Sequence, residues 1–365
     1  MKTLFRLVFG LFLLVTPRGL RAQTVAVTPP AGYWKLTARG ASDSMLSVPL
    51  VKRSALLARV TVVGQNSITL AADGIADGAY APGPRASWYA QFVSGYLEGL
   101  CYRVLGNVGG VFALATDGED LRSHASGLIA AGDAGDLVRI RPYWTVADVF
   151  GADDFTLQLD AVADLATGPY LASDAILLPD NSAAGTEKRP LSVSYVADVG
   201  WRAAGSPSTD SAAQPLPPGV PFVVRRQRAD PAEMVLVGYV PQEPFQVRLP
   251  SLALGEDRDV AVALAYPVDC KLADSGLFST VESVAAITAS PDALNVRDVL
   301  LEFDPERRGF ALPAAHCFYV AGTGWCESDA AADDHVLRSG AGYLLRLRGE
   351  RAGRYWVQAV PVWNP

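Results

Sequence analysis

Histidine is scarce in this chain, with three among 365 residues: His124, His316 and His335. Any mechanism that needs an imidazole base must draw on one of them, and each reads more simply as an ordinary surface or edge histidine. The chain has no G-x-S-x-G elbow, H-E-x-x-H, C-x-x-C, P-loop or G-x-G-x-x-G run. Those absences remove the motif-based readings as a hydrolase of the α/β class, a zinc protease, a dithiol redox protein or a nucleotide-binding α/β protein. Long amphipathic helices are also missing, because 25 prolines and 33 glycines interrupt the chain too often. Basic clusters are absent, and the formal charge is −7, which gives no electrostatic reason to bind nucleic acid or anionic lipid.

The longest apolar stretch lies at the start. Lys2 and Arg6 precede the run Leu7 to Val15, and Pro17 to Ala22 follows it. A charged lead, a short apolar run and a small residue at the cut make a cleaved signal peptide over residues 1–22. The run is shorter than the about 20 residues that a membrane-spanning helix requires. Removing it takes away four basic residues and no acidic one, so the formal charge falls to −11. The expected location is outside the cytoplasm: periplasmic, cell-surface or extracellular.

What remains is rich in short β-forming runs set between turn residues. Val60 to Val63, then Gly64-Gln65-Asn66, then Ser67 to Leu70 reads as strand, turn, strand. Trp34 to Thr37, Leu100 to Leu105, Gly110 to Ala115 and Leu137 to Thr145 read as further strands. Short helical turns are expected only around Ala55–Val60 and Ala161–Ala166. The expected fold class is all-β, built from two or three small sandwich or barrel-like modules.

An internal duplication supports that division. Asp174-Ala-Ile-Leu-Leu-Pro-Asp180 matches Asp298-Val-Leu-Leu-Glu-Phe-Asp304, and Tyr195-Val-Ala-Asp-Val-Gly-Trp201 matches Tyr319-Val-Ala-Gly-Thr-Gly-Trp325, both at an offset of 124 residues. Phe222-Val-Val-Arg225 then matches Tyr343-Leu-Leu-Arg346. A repeated unit of short strands buries one face against something else. The expected modules are residues 23–169, a first copy over 170–247 and a second over 252–365. A fainter echo of Val48-Pro49 to Leu56 in Tyr266-Pro267 to Leu272 would make residues 61–170 an insertion into the first copy.

Three sets of residues stand out as candidate sites. Trp201 and Trp325 occupy matching places after a glycine, where they serve either as aromatic ligand platforms or as packed tryptophans, and large aromatics are worth most when buried. Four cysteines in an exported chain are expected to pair. Cys317 and Cys326 flank a hairpin, and the first copy carries Val193 and Arg202 in their places, so a bridge between them is expected; Cys101 and Cys270 are left for a second. The segment containing Glu327, Asp329, Asp333, Asp334 and His335 offers carboxylates suited to calcium, with Asp329, Asp333 and Asp334 as the candidate ligands, against the plain reading of a solvated acidic loop. No other cofactor is expected.

The run Ser94-Gly95, Glu98-Gly99, Tyr102, Asn107, a Gly-Asp pair and Ile140-Arg-Pro-Tyr-Trp-Thr145 resembles a family of exported bacterial proteins without assigned activity. So do the strand ending Pro179-Asp180, the strand ending Gly200-Trp201-Arg202 and the arginine-ended strand Phe222 to Arg226. The resemblance covers roughly residues 38–361. The chain departs from the pattern where Gly-Asp is doubled across Gly132–Asp136 and where Cys326 replaces an arginine. The resemblance implies export and the domain limits, and supplies no mechanism. The expected function is a non-enzymatic, structural or adhesive role in the cell envelope or outside the cell, with an envelope protein or polysaccharide as partner. The alternatives are a carbohydrate-binding protein and, behind it, a glycoside or ester hydrolase. Amino-terminal sequencing of protein recovered from the exported fraction should begin at Gln23; a retained Met1 would contradict the leader.

Overall fold

The computed structural model describes residues 30–84, 86–125, 129–162, 173–186, 188–281, 285–303, 307–310, 314–327 and 330–361. The expected leader over residues 1–22, residues 163–166 of the expected second helical turn, and Asp329 lie outside the described residues. The described chain is almost entirely β. It opens with β1 (Ala31–Ala38) and β2 (Ser42–Leu46). Six strands then close a barrel: β3 (Leu56–Val63), β4 (Ser67–Leu70), β5 (Trp88–Phe92), β6 (Cys101–Val108), β7 (Val111–Ala115) and β8 (Leu137–Pro142). Next come β9 (Trp144–Thr145), β10 (Ala175–Leu178), β11 (Leu191–Val196), β12 (Gly200–Ala203), β13 (Ser206–Asp210), β14 (Pro215–Leu216), β15 (Phe222–Arg226) and β16 (Ala232–Tyr239). The last stretch holds β17 (Phe245–Leu249), β18 (Asp257–Ala263), β19 (Cys270–Lys271), β20 (Val299–Phe303), β21 (Ala314–Val320), β22 (Gly324–Glu327), β23 (Ala330–Ala331), β24 (Val336–Leu337), β25 (Gly342–Arg348) and β26 (Arg354–Gln358). Among the described residues no helix is long and apolar enough to cross a membrane.

Two six-stranded sheets carry the architecture. The first runs β13-β12-β11-β10-β15-β2 and the second β23-β22-β21-β20-β25-β18. The smaller pairs correspond too, β1-β16 to β17-β26 and β14-β9 to β24-β19. The strand order is therefore the same in both halves, and the barrel is set between β2 and β9 of the first. The expected limit at residues 169/170 needs correction for this reason: β1 and β2 pair with β16 and β15, so residues 23–169 do not make one module.

Alternation explains the strands. In β16, Ala232, Met234 and Leu236 point into the core while Glu233, Val235 and Val237 face out. The barrel interior is filled by side chains such as Val60, Ile68, Val104, Phe112, Leu114, Val138 and Ile140. Its β6–β7 hairpin turns through Gly109-Gly110, and Gly109 at φ 53° adopts a backbone that other residues resist. The helical turn expected at Ala55–Val60 is a strand instead, because Ala58 and Val60 alternate into the barrel. A helix forms at Val146–Phe150, where the Thr145 hydroxyl accepts the Asp148 N–H and the Asp148 carboxylate accepts the Thr145 N–H. The sequence reading did not place this helix; its signal is Thr-x-x-Asp before an apolar pair.

Each half also holds one buried carboxylate on the same pattern. Asp174 accepts from Arg226 at 2.6 Å and from the Gln227 N–H at 2.8 Å. Asp298 accepts from Arg351 at 2.5 Å and from the Arg348 N–H at 2.8 Å. Neither carboxylate is exposed, so removing one partner strands the other charge in the core. Asp298→Ala should destabilise the fold by about 3–5 kcal/mol in denaturant titration. Asp334→Ala, at an exposed pair with Lys271, should leave the midpoint unchanged. Equal midpoints for the two variants would refute the assignment.

Candidate functional site

The edge strands β2 and β18 would each present unpaired backbone groups if left bare. They are covered reciprocally. The Asp259 N–H of β18 donates to Gly185 O and the Ala263 N–H to Gly219 O. On the other side, the Asp43 N–H of β2 donates to Gly309 O and the Ser47 N–H to Gly340 O. Gly185 and Gly309 stand 124 residues apart, the offset of the sequence repeat. Asn181 completes the cover of β18, its side chain donating to Ala261 O and accepting the Ala261 N–H, both at 2.8 Å. Each half thus caps the edge of the other.

Between the capped edges lies a cleft of about 230 Å³. Met45, Leu177 and Val223 line it from the first sheet, Ala261 and Leu344 from the second, with Phe303 and prolines 179, 190 and 221 at its margins. Met45 and Ala261 occupy matching places two residues after Asp43 and Asp259. The smaller alanine leaves space on its side of the junction. The aspartates are held in forked pairs: Asp43 with Arg225 at 2.8 and 2.7 Å, and Asp259 with Arg346 at 2.8 and 2.9 Å. These bonds raise both arginines above their ordinary range. Lys188 donates to Asp259 O at 2.6 Å and Asp180 O at 3.2 Å, and burial lowers its ammonium pKa. The Asp180 carboxylate is turned to the Ser182 hydroxyl and amide. The cleft therefore offers apolar surface and a rim of committed charges.

The expected site residues fall elsewhere. Trp201 and Trp325 are buried in the two sheet cores, 1% and 3% exposed, so the platform reading is corrected to packing. Trp201 also donates its indole N–H to Gly151 O at 2.8 Å. The Cys317–Cys326 bridge is likewise overturned, all four cysteines being free. Cys317 stands opposite Glu327 while Cys326 stands opposite Phe318, a one-residue offset that sends the two thiols to opposite faces. Cys317 joins the main core of the second half, and Cys326 packs with Phe318 and Val320 on the other side. Of the calcium candidates, Asp333 accepts the Trp325 N–H at 3.1 Å and Asp334 pairs with Lys271 at 2.6 Å, so their carboxylates serve different partners.

Sequence reasoning missed the cleft. The signal that would have found it is Asp-x-Met in Asp43–Met45 against Asp-x-Ala in Asp259–Ala261, each before an apolar stretch and matched by Arg225 and Arg346 in the arginine-ended strands. Burial pushes the Cys101 and Cys317 thiols up to about 12, with Glu327 and Glu302 adding to the shift at Cys317. In metal-free native protein Cys317 should resist alkylation at neutral pH, and unfolding without reductant should release four alkylatable thiols. Two fewer would restore a disulfide. Comparison with models of protein families, with curated proteins and with solved structures finds no match to this chain.

Proposed function

We propose that the chain is an exported, non-enzymatic binding protein with a structural or adhesive role, and that the cleft between the two matched sheets is its recognition surface. The observation that carries this reading is an apolar cleft whose two aspartates are both locked by arginine. A carboxylate held in a forked pair is a poor general base, because its lone pairs and its charge are already engaged. At about 230 Å³ the cleft is smaller than drug-sized pockets of roughly 300–1,000 Å³. It suits one compact apolar group, either a small ligand or a side chain at the tip of a partner.

The two sheets are read as copies of one duplicated unit, docked as the subunits of an isologous dimer dock, each residue contacting the counterpart of its own partner. The barrel is read as an insertion into the first copy. Such a body, with one edge of each sheet covered by the other half, suits a load-bearing role outside the cell better than one that must open. The carbohydrate-binding alternative lost its expected platforms with Trp201 and Trp325, and Trp34, Trp88 and Trp144 are half-buried.

The test uses 1-anilinonaphthalene-8-sulfonate and medium-chain fatty acids as apolar probes. Saturable binding should fall at least tenfold in Ala261→Met, which places in the second sheet the residue that the first carries. The variant should fold with an unchanged or higher midpoint, since it fills space. Identical titrations for the two proteins would remove the cleft as the binding surface.

A further inference from the structure

A second site lies on the inner face of the second sheet, away from the cleft. Cys317 of β21 stands between Leu300 of β20 and Glu327 of β22 in the strand register. Alternation puts Glu302 on the same face as Leu300. His335, between β23 and β24, reaches over this row. The Cys317 sulfur, a Glu327 carboxylate oxygen and a His335 ring nitrogen all lie within 4.8 Å of one another. His335 Nδ1 is 3.7 Å from Glu327 Oε2, while its Nε2 is hydrogen-bonded to Glu302 Oε2.

We propose that Cys317, Glu327 and His335 bind a zinc ion, with Glu302 as the positioning residue that orients the imidazole. Thiolate, imidazole and carboxylate are the ligand types zinc takes, at bonds of about 2.0–2.3 Å. A tetrahedron on such bonds has edges of roughly 3.3–3.7 Å, and the His335–Glu327 separation of 3.7 Å lies within a few tenths of an ångström of the edge a nitrogen and an oxygen ligand would span. The remaining ligand-atom separations, all within 4.8 Å, would have to shorten to that length on binding. Histidines that ligate zinc usually give their other N–H to a carboxylate, which is the role Glu302 fills.

The first half of the chain supplies an independent argument. Its strand register sets Val193 opposite Ala203, as Cys317 is set opposite Glu327. The Val146 N–H donates to Gln214 O as the Leu272 N–H donates to His335 O. Leu178, Val193, Ala203 and Gln214 therefore hold the places of Glu302, Cys317, Glu327 and His335. Leu178, Val193 and Ala203 are plain buried core residues. The fold builds this corner without a polar cluster, yet the second half replaces all four residues together. Two carboxylates and a thiol gathered at a half-buried point are costly without a cation to compensate them. A Cys–His–Glu nucleophile would use some of the same groups, but Cys317 is fully buried.

The experiment titrates the reduced chain with Co²⁺ and then competes with Zn²⁺. One Co²⁺ per chain should bind with a thiolate-to-cobalt charge-transfer band, and stoichiometric Zn²⁺ should displace it. Cys317→Val and His335→Gln, which carry the residues of the other half, should abolish the band. Either suffices if the other does not fold. Glu302→Gln should keep the band and weaken zinc binding by about 10–100-fold. Cys101→Ser should change nothing. Absence of saturable Co²⁺ binding, or a band that survives in folded Cys317→Val, would overturn the site.

Discussion

The molecule depends on the reciprocal covering of two edge strands. A six-stranded sheet with a bare edge invites pairing with any other chain, and here each sheet has such an edge in β2 or β18. The loops after β10 and β20 supply the missing partners, through Gly185 on one side and Gly309 on the other. Because each cap belongs to the opposite half, neither sheet can be sealed alone. The cleft lies where the two capped edges meet, lined by Met45 from one sheet and Ala261 from the other.

Charge is handled by the same doubling. Among the described residues, the buried or half-buried acids at the junction have an arginine, Asp43 with Arg225 and Asp259 with Arg346, and the deeper pairs Asp174–Arg226 and Asp298–Arg351 lie behind them. Such pairs add little net stability against apolar substitutes but are strongly destabilising when half removed. They therefore hold the register of the fold more than they strengthen it. The departures from symmetry are where function is sought: a smaller side chain at Ala261, and a polar cluster around His335 where the first half is apolar.

Part of this was legible in the residues. Alternating apolar positions and frequent turns gave the all-β class and most of the strands, while the observed strand order is read from the pairing and not from the 124-residue offset. What stayed hidden depends on pairing between distant segments. Nothing local says that β8 closes on β3, or that Gly309 meets β2, since both contacts join residues far apart in the chain. The cysteine pairing failed on parity: a shift of one residue in register exchanges the faces of a strand, and hairpin spacing alone does not fix it. Trp201 and Trp325 were correctly placed at hairpins, and burial decided between their two roles.

The most direct test of the account is amide hydrogen exchange resolved at single residues in β2 and β18. Mutual covering predicts that the Asp43, Ser47, Asp259, Ala261 and Ala263 amides exchange together with those of the central strands β10 and β20, at the rate of global unfolding. Fast exchange in β2 and β18 while β10 and β20 stay protected would mean that the two edges are open, and the shared cleft would lose its basis.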